Sequence, residues 1–194
     1  MSETKSIMIV GVGGQGTLLA SRILGSALLE LGHDVKLSEV HGMSQRGGSV
    51  VTYVKYGDKV YSPVVDKGEA DFILSFERLE AARWLSWLKK DGEMIVNDQR
   101  ISPMPVITGA AEYPGDILNK ISAKGAKLLA VDALALALEA GSSKAVNVVL
   151  IGILASMMDI PRQVWDKALE DNVKPRFLEM NKRAFQLGYK AGKK

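Results

Sequence analysis

The chain has 194 residues, 47% of them apolar and 24% charged, with 19 glycines and a formal net charge of +3. It contains no cysteine, which excludes a disulfide framework, a thiolate nucleophile, a cysteine-based zinc site and the thiolate ligands of an iron–sulfur cluster. Any redox chemistry must therefore be carried by something this chain binds.

Lys5 to Val10 is a short apolar run leading into glycine, the pattern of a strand buried on both faces. Beyond the glycines, Leu19, Ile23, Leu24, Ala27, Leu28 and Leu31 recur at helical spacing until Gly32 and His33 stop them, and residues 34–40 alternate as a strand. Strand, glycine loop, helix and strand within about 35 residues form a βαβ crossover. Residues 49–56 and 59–63 are β-rich on either side of Gly57-Asp58 and predict an inserted hairpin with a two-residue turn. A buried strand over 71–76, a helix from Leu79 to Lys89-Lys90, a turn at Asp91-Gly92 and a strand over 93–97 follow. Residues 104–108 predict a further strand, 117–121 a helix and 127–131 a strand. From Asp132 the chain reads as helical, over 132–139, 146–158, 161–171 and 175–189. This alternation predicts one three-layer α/β domain over residues 1–194, with no internal repeat or linker.

The surroundings are bounded as well. The apolar run begins at Ile7, too early for a signal peptide, and the longest apolar stretch, 146–158, is shorter than a bilayer span, so a cytoplasmic protein without membrane contact is expected. Residues 161–194 hold 9 Lys/Arg against 4 Asp/Glu, and the rest 16 against 18. That basic end reads as a solvated helix face, and no interleaving of basic and aromatic residues points to nucleic acid.

Two segments carry chemistry. Gly11-Val12-Gly13-Gly14-Gln15-Gly16 is a G-x-G-x-x-G placed between strand and helix. Glycines there permit a tight turn and bring backbone N–H groups and a helix N-terminus to an anionic group. A nucleotide-like cofactor, another anion and a purely structural turn all remain open; Glu39, 23 residues past Gly16, stands where a ribose-binding acid is found in dinucleotide sites. The second segment, His41-Gly42-Met43-Ser44-Gln45-Arg46-Gly47-Gly48, offers a guanidinium fork, two polar side chains and flexible amides to a carboxylate or phosphate. Arg46 is its candidate catalytic residue. His41 has no metal-spaced neighbours and reads as a hydrogen-bonding loop residue. Asn97 lies at a strand end and reads as a turn or ligand-edge residue, Asn147 as a cap or buried polar contact, and Trp84, Trp87, Met157 and Met158 as packing.

Together, the segments 9–16 and 39–50, with Ala70 to Glu77, Val96-Asn97, Asn147 to Gly152 and Asn181 to Gly188, resemble the gamma-type domain of the 2-oxoacid:ferredoxin oxidoreductases along almost the whole chain. The residues before Arg46-Gly47-Gly48 are most similar to the beta-subunit branch of the indolepyruvate ferredoxin oxidoreductases. The resemblance implies a Rossmann-like α/β fold with a mostly parallel sheet, an inserted β-hairpin and a helical C-terminal part. It implies oxidative decarboxylation of an arylpyruvate such as indole-3-pyruvate with coenzyme A and ferredoxin. Thiamine diphosphate, Mg and the [4Fe–4S] clusters would sit on a large partner subunit, and this chain would hold no tightly bound cofactor or metal. Consistent with that division, the chain has no thiamine-type Gly-Asp-Gly motif; its Gly115-Asp116 continues with Ile117. Gly11, Gly13, Gly14, Gln15 and Gly16 would orient coenzyme A phosphates, and Ser44, Gln45, Arg46, Gly47 and Gly48 would form a second lip. An autonomous nicotinamide-dependent oxidoreductase using Glu39, and a purely structural assembly subunit, are the alternatives.

Overall fold

The computed structural model describes residues 4–193 apart from residues 43–46. Six strands, β1 (Lys5–Val12), β2 (Asp34–His41), β3 (Ser49–Gly57), β4 (Ala70–Ser75), β5 (Leu88–Asn97) and β6 (Lys127–Val131), form one sheet in the order β2-β3-β1-β4-β5-β6. β1, β4, β5 and β6 pair in parallel, whereas β3 is antiparallel to both of its neighbours. The sheet is therefore mostly parallel, and β2 runs in the same direction as β1 without touching it.

That insertion revises the hairpin. β3 pairs with β1 on one side (Ile9 opposite Thr52) and with β2 on the other (Glu39 opposite Thr52). Residues 59–63 consequently find no free edge of β3 and are not a strand. They leave the sheet with Val60 N–H donating to the Asp34 carboxylate at 2.8 Å. The antiparallel partner that follows β2 in the chain is instead β3 itself. The strand expected at 104–108 is also corrected. It is a helical turn, α3 (Met104–Ile107), because Pro105 cannot serve a ladder and both edges of β5 are already taken. β5 starts earlier than expected, at Leu88, with the Asp91-Gly92 pair kinked inside it and Asp91 at φ 68°. The helix before it, α2 (Arg78–Trp84), gives way to a 3₁₀ turn at Leu85–Trp87 instead of reaching Lys90.

Side chains of β1 alternate between two cores, as a strand's period of two requires. Ile7 and Ile9 face the larger one, with Leu24 and Leu28 of α1 (Thr17–Glu30) and the C-terminal helices α5 (Ala133–Ala140), α6 (Val146–Met157), α7 (Arg162–Asn172) and α8 (Pro175–Gly192). Met8 and Val10 face the smaller one, with Ala81 of α2 and Ile117 and Ile121 of α4 (Ile117–Ala123). Trp84 and Trp87, edge to face with ring centroids 4.7 Å apart, pack against it, and Met157 and Met158 pack against the larger core. α6 is buried through nearly its whole length, as a helix apolar all round should be. It lies so close to α8 that a Cβ on Gly188 would enter the Val149 carbonyl. No helix among the described residues is long and apolar enough to cross a membrane.

Candidate functional site at the C-terminal edge of the sheet

β1 hands the chain to α1 on one face, while its neighbour β4 hands it to α2 on the other. The carboxyl ends of β1 and β4 thus form the switch point at which open α/β sheets bind ligands. Here that point is filled by side-chain amides. Gln15 Oε1 accepts from Val12 N–H at 2.7 Å and its Nε2 donates to the Phe76 carbonyl at 3.1 Å. Asn97, fully buried, donates to the same carbonyl at 3.1 Å and to Gln99 Oε1 at 3.0 Å, and its Oδ1 accepts from Ala133 N–H at the start of α5. Gln15 and Asn97 therefore act as braces. A Cβ on Gly11 would lie 2.8 Å from Gln15 Oε1 and 2.9 Å from Phe76 Cβ, so glycine is required for this close approach.

The glycine loop is stapled to the second segment. Gly13 N–H donates to the Gly48 carbonyl at 2.8 Å and Gly47 N–H to the Gly13 carbonyl at 3.3 Å, extending the β1–β3 ladder by one step. The structure thus brings Gly11, Gly13, Gly14, Gln15 and Gly16 together with Gly47 and Gly48, whereas Ser44, Gln45 and Arg46 lie outside the described residues. Gly16, at φ 85°, caps α1 without a side-chain hydrogen bond, which leaves first-turn N–H groups available to an anion. Its carbonyl accepts from Asn147 Nδ2 at 3.2 Å, which makes Asn147 a buried tie between α6 and the glycine loop.

Beside the filled switch point an open cleft of about 420 Å³ is lined by Gly13, Gly14, Gly16, Thr17, Glu39 and His41, among others. Its floor is glycine backbone and the α1 N-terminus, an arrangement suited to a phosphate or carboxylate. Glu39 stands on its far wall, where its carboxylate accepts from Thr52 at 3.3 Å. Because β3 is inserted, Glu39 is two strand spacings from β1, roughly 9–10 Å, where a dinucleotide fold places its ribose-binding acid one spacing away. His41 is exposed, its Nδ1 3.0 Å from the Gly42 carbonyl.

Sequence reasoning overlooked a pair of buried carboxylates at the start of α2. Glu77 caps the helix by accepting from Glu80 N–H, and its other oxygen accepts from the Tyr113 hydroxyl at 3.2 Å. Burial pushes the Glu77 carboxyl above its usual range, and burial together with the Glu77 charge pushes Tyr113 up to about 12. Glu80 accepts from Ser49 Oγ at 2.5 Å, Arg83 Nε at 3.0 Å and Trp84 Nε1 at 3.2 Å. Ser49 opens β3, so Glu80 fixes the start of that strand, and Glu77 fixes the exit of the loop that follows β5. The available signal was two acids three residues apart directly after a strand, a helix-start pattern. No group of three or more histidine, aspartate or glutamate residues that could hold a metal ion occurs among the described residues.

The sequence matches the family described as pyruvate ferredoxin/flavodoxin oxidoreductase over residues 6–191. It is 46% identical over 193 residues to the indolepyruvate oxidoreductase subunit IorB of Thermococcus kodakarensis, covering 97% of this chain and 96% of the relative. The fold is similar to that of the pyruvate oxidoreductase subunit PORC of Thermotoga maritima, with a TM-score of 0.76 at 23% identity and 97% of each chain covered. It is also similar to a 2-oxoglutarate:ferredoxin oxidoreductase from Magnetococcus marinus with 2-oxoglutarate, coenzyme A and succinyl-CoA bound. There the TM-score is 0.76 at 18% identity, with all of this chain matching 32% of the other.

Proposed function

The chain belongs to the pyruvate ferredoxin/flavodoxin oxidoreductase family, and from that premise we propose that it is the small, cluster-free subunit of a complex that oxidatively decarboxylates indole-3-pyruvate and related arylpyruvates. The carrying observation is the 46% identity to an indolepyruvate oxidoreductase subunit along essentially the full length of both chains. In the complex the arylpyruvate loses its carboxylate as carbon dioxide, and the remaining acyl group forms a thioester with coenzyme A. The two electrons released pass to ferredoxin, and the thiol proton is released. With no cysteine in 194 residues, this chain supplies no thiolate to a cluster. Thiamine diphosphate, its Mg and the clusters are assigned to the large subunit, where thiamine supplies the carbanion stabilisation of decarboxylation.

This chain's own contribution is to bind and orient. The Gly13, Gly14 and Gly16 backbone and the α1 N-terminus receive an anionic group at the 420 Å³ cleft, which we assign to the phosphates of coenzyme A; a larger oxidoreductase sharing the fold binds coenzyme A. Gly47 and Gly48 hold the second lip against the loop, and Ser44, Gln45 and Arg46 are assigned to face the substrate or thiamine, with Arg46 pairing a carboxylate or phosphate. The test is the Arg46→Ala variant in the reconstituted complex, with KM for coenzyme A or the 2-oxoacid expected to rise at least tenfold. Unchanged turnover and unchanged KM for both would remove Arg46 from the site. The nicotinamide alternative predicts that the isolated chain shifts NADH fluorescence and that Glu39→Ala abolishes the shift; the two-strand separation of Glu39 from β1 argues for no such shift.

A further inference from the structure

Glu80 is a buried carboxylate, only 3% exposed, on a helix that is capped without it. The cap of α2 is Glu77, which accepts from Glu80 N–H. Glu80 is the third residue of the helix, a position from which an acid commonly reaches back to the N–H of the cap residue. Its oxygens are committed elsewhere: Oε1 to Arg83 Nε at 3.0 Å, and Oε2 to Ser49 Oγ at 2.5 Å and Trp84 Nε1 at 3.2 Å. Taking a carboxylate out of water is costly unless donors replace its hydration. Of these three donors, Ser49 alone lies outside α2, 31 residues away in the chain.

Ser49 stands at the junction of the two segments that carry the site. It pairs with Val12 at the end of the β1–β3 ladder, directly before the glycine turn. Gly47 and Gly48 precede it and meet the turn through the Gly13 N–H to Gly48 carbonyl bond at 2.8 Å and the Gly47 N–H to Gly13 carbonyl bond at 3.3 Å. Val50 follows it and lines the cleft with Gly13 and Gly14. Two successive glycines have no side chain to fix them, and Gly47 is at φ 75°, so this backbone takes its position from what holds its ends. Glu80 holds one of those ends, from the face of the sheet opposite α1.

We propose that Glu80 is a positioning residue of the glycine-loop cleft: through the Ser49 hydroxyl it holds the Gly47-Gly48 backbone against Gly13, so the loop has its binding shape before an anionic group arrives. The inference rests on the assignment of that cleft to the phosphates of coenzyme A. Order built in beforehand is not lost on binding. Cutting the link therefore weakens coenzyme A binding and leaves the chemistry on the partner subunit untouched. Glu80 touches no ligand itself; its effect passes through Ser49.

The experiment reads the same variants in two ways. In the isolated chain, hydrogen exchange of the Gly13 amide is followed by NMR. Ser49→Ala is expected to speed it roughly tenfold with the urea midpoint unchanged, because Ser49 is exposed and Glu80 keeps Arg83 and Trp84. In the reconstituted complex, Ser49→Ala and Glu80→Ala are each expected to raise KM for coenzyme A at least about fivefold, with kcat and KM for the arylpyruvate unchanged, as lost binding requires. Ser49→Thr, which keeps the hydroxyl on a side chain suited to a strand, should restore both readouts. Gly92→Ala, which crowds the Ala70 and Asp71 carbonyls at the opposite edge of the sheet, should lower stability and move neither. A Gly13 amide that exchanges at the parent rate in Ser49→Ala overturns the inference, as does a KM shift that persists in Ser49→Thr or is shared by Gly92→Ala. Faster Gly13 exchange with an unchanged KM for coenzyme A overturns the underlying reading of the cleft, and with it the role of Glu80 in binding.

Discussion

Substituting Gly16 by alanine separates a structural from a ligand-binding requirement for the glycine loop. Gly16 sits at φ 85°, a region in which a β-carbon costs about 1–2 kcal/mol. The new Cβ would lie 2.6 Å from Asn147 Nδ2, the atom that donates to the Gly16 carbonyl, and Asn147 is only 4% exposed. Asn147 must therefore move and lose a buried hydrogen bond, at about 1–3 kcal/mol. The stiffer unfolded chain returns about 0.4–1 kcal/mol. Gly16→Ala is expected to lower stability by about 2–4 kcal/mol. Combined with Asn147→Ala, it should cost only the backbone strain less the unfolded-chain return, so the pair couples by the avoided bond loss, about 1–3 kcal/mol. Urea unfolding of the isolated chain, followed by tryptophan fluorescence, measures all four corners of the cycle. A Gly16→Ala loss below about 0.5 kcal/mol, or strictly additive costs, would refute the close-approach account and leave the glycine to ligand binding alone.

Glu77 carries a pH signature. Its folded-state pKa lies above the usual 4.5 chiefly because burial penalises the charge, so the native state binds the extra proton and this group's contribution falls as pH rises from 4.5 through the raised value. The stability-versus-pH curve of Glu77→Gln should lack that decline. A parallel curve across the window would show that Glu77 titrates normally. Gly188→Ala should destabilise by at least about 1–3 kcal/mol in thermal or urea unfolding, because α6 and α8 must separate to admit a methyl group at the Val149 carbonyl. Asn97→Ala strands the Ala133 N–H and removes one of two donors to the Phe76 carbonyl; a loss of about 2–4 kcal/mol is expected by urea unfolding, whereas a surface-like loss would contradict its role as a brace.

What the sequence displayed was local. β1, α1 and the four C-terminal helices follow from apolar spacing, from the stop at Gly32 and from the prolines at the starts of the last two helices, Pro161 and Pro175, and the glycine loop falls between strand and helix as its pattern requires. What it hid was pairing. Nothing in residues 49–57 says that they slip between β1 and β2, yet this insertion deprives residues 59–63 of an edge and moves Glu39 away from the loop. Val106, Ile107 and Thr108 are β-formers, and propensity could not reveal that β5 already had two neighbours. At the site, the glycines were legible and the braces less so. Gln15 reads as a ligand residue until its amide is found bonded at both ends, and the burial of Glu77 and Glu80 depends on Tyr113 and Ser49, each more than thirty residues away.

The most direct test of the central claim is ferredoxin reduction by the large subunit, supplied with indole-3-pyruvate and coenzyme A, with and without this chain. The account predicts negligible turnover for either chain alone and acyl-CoA formation matched to ferredoxin reduction when both are present. Full coenzyme A-dependent turnover by the large subunit without this chain, or no gain on adding it to a complex that assembles, would contradict it.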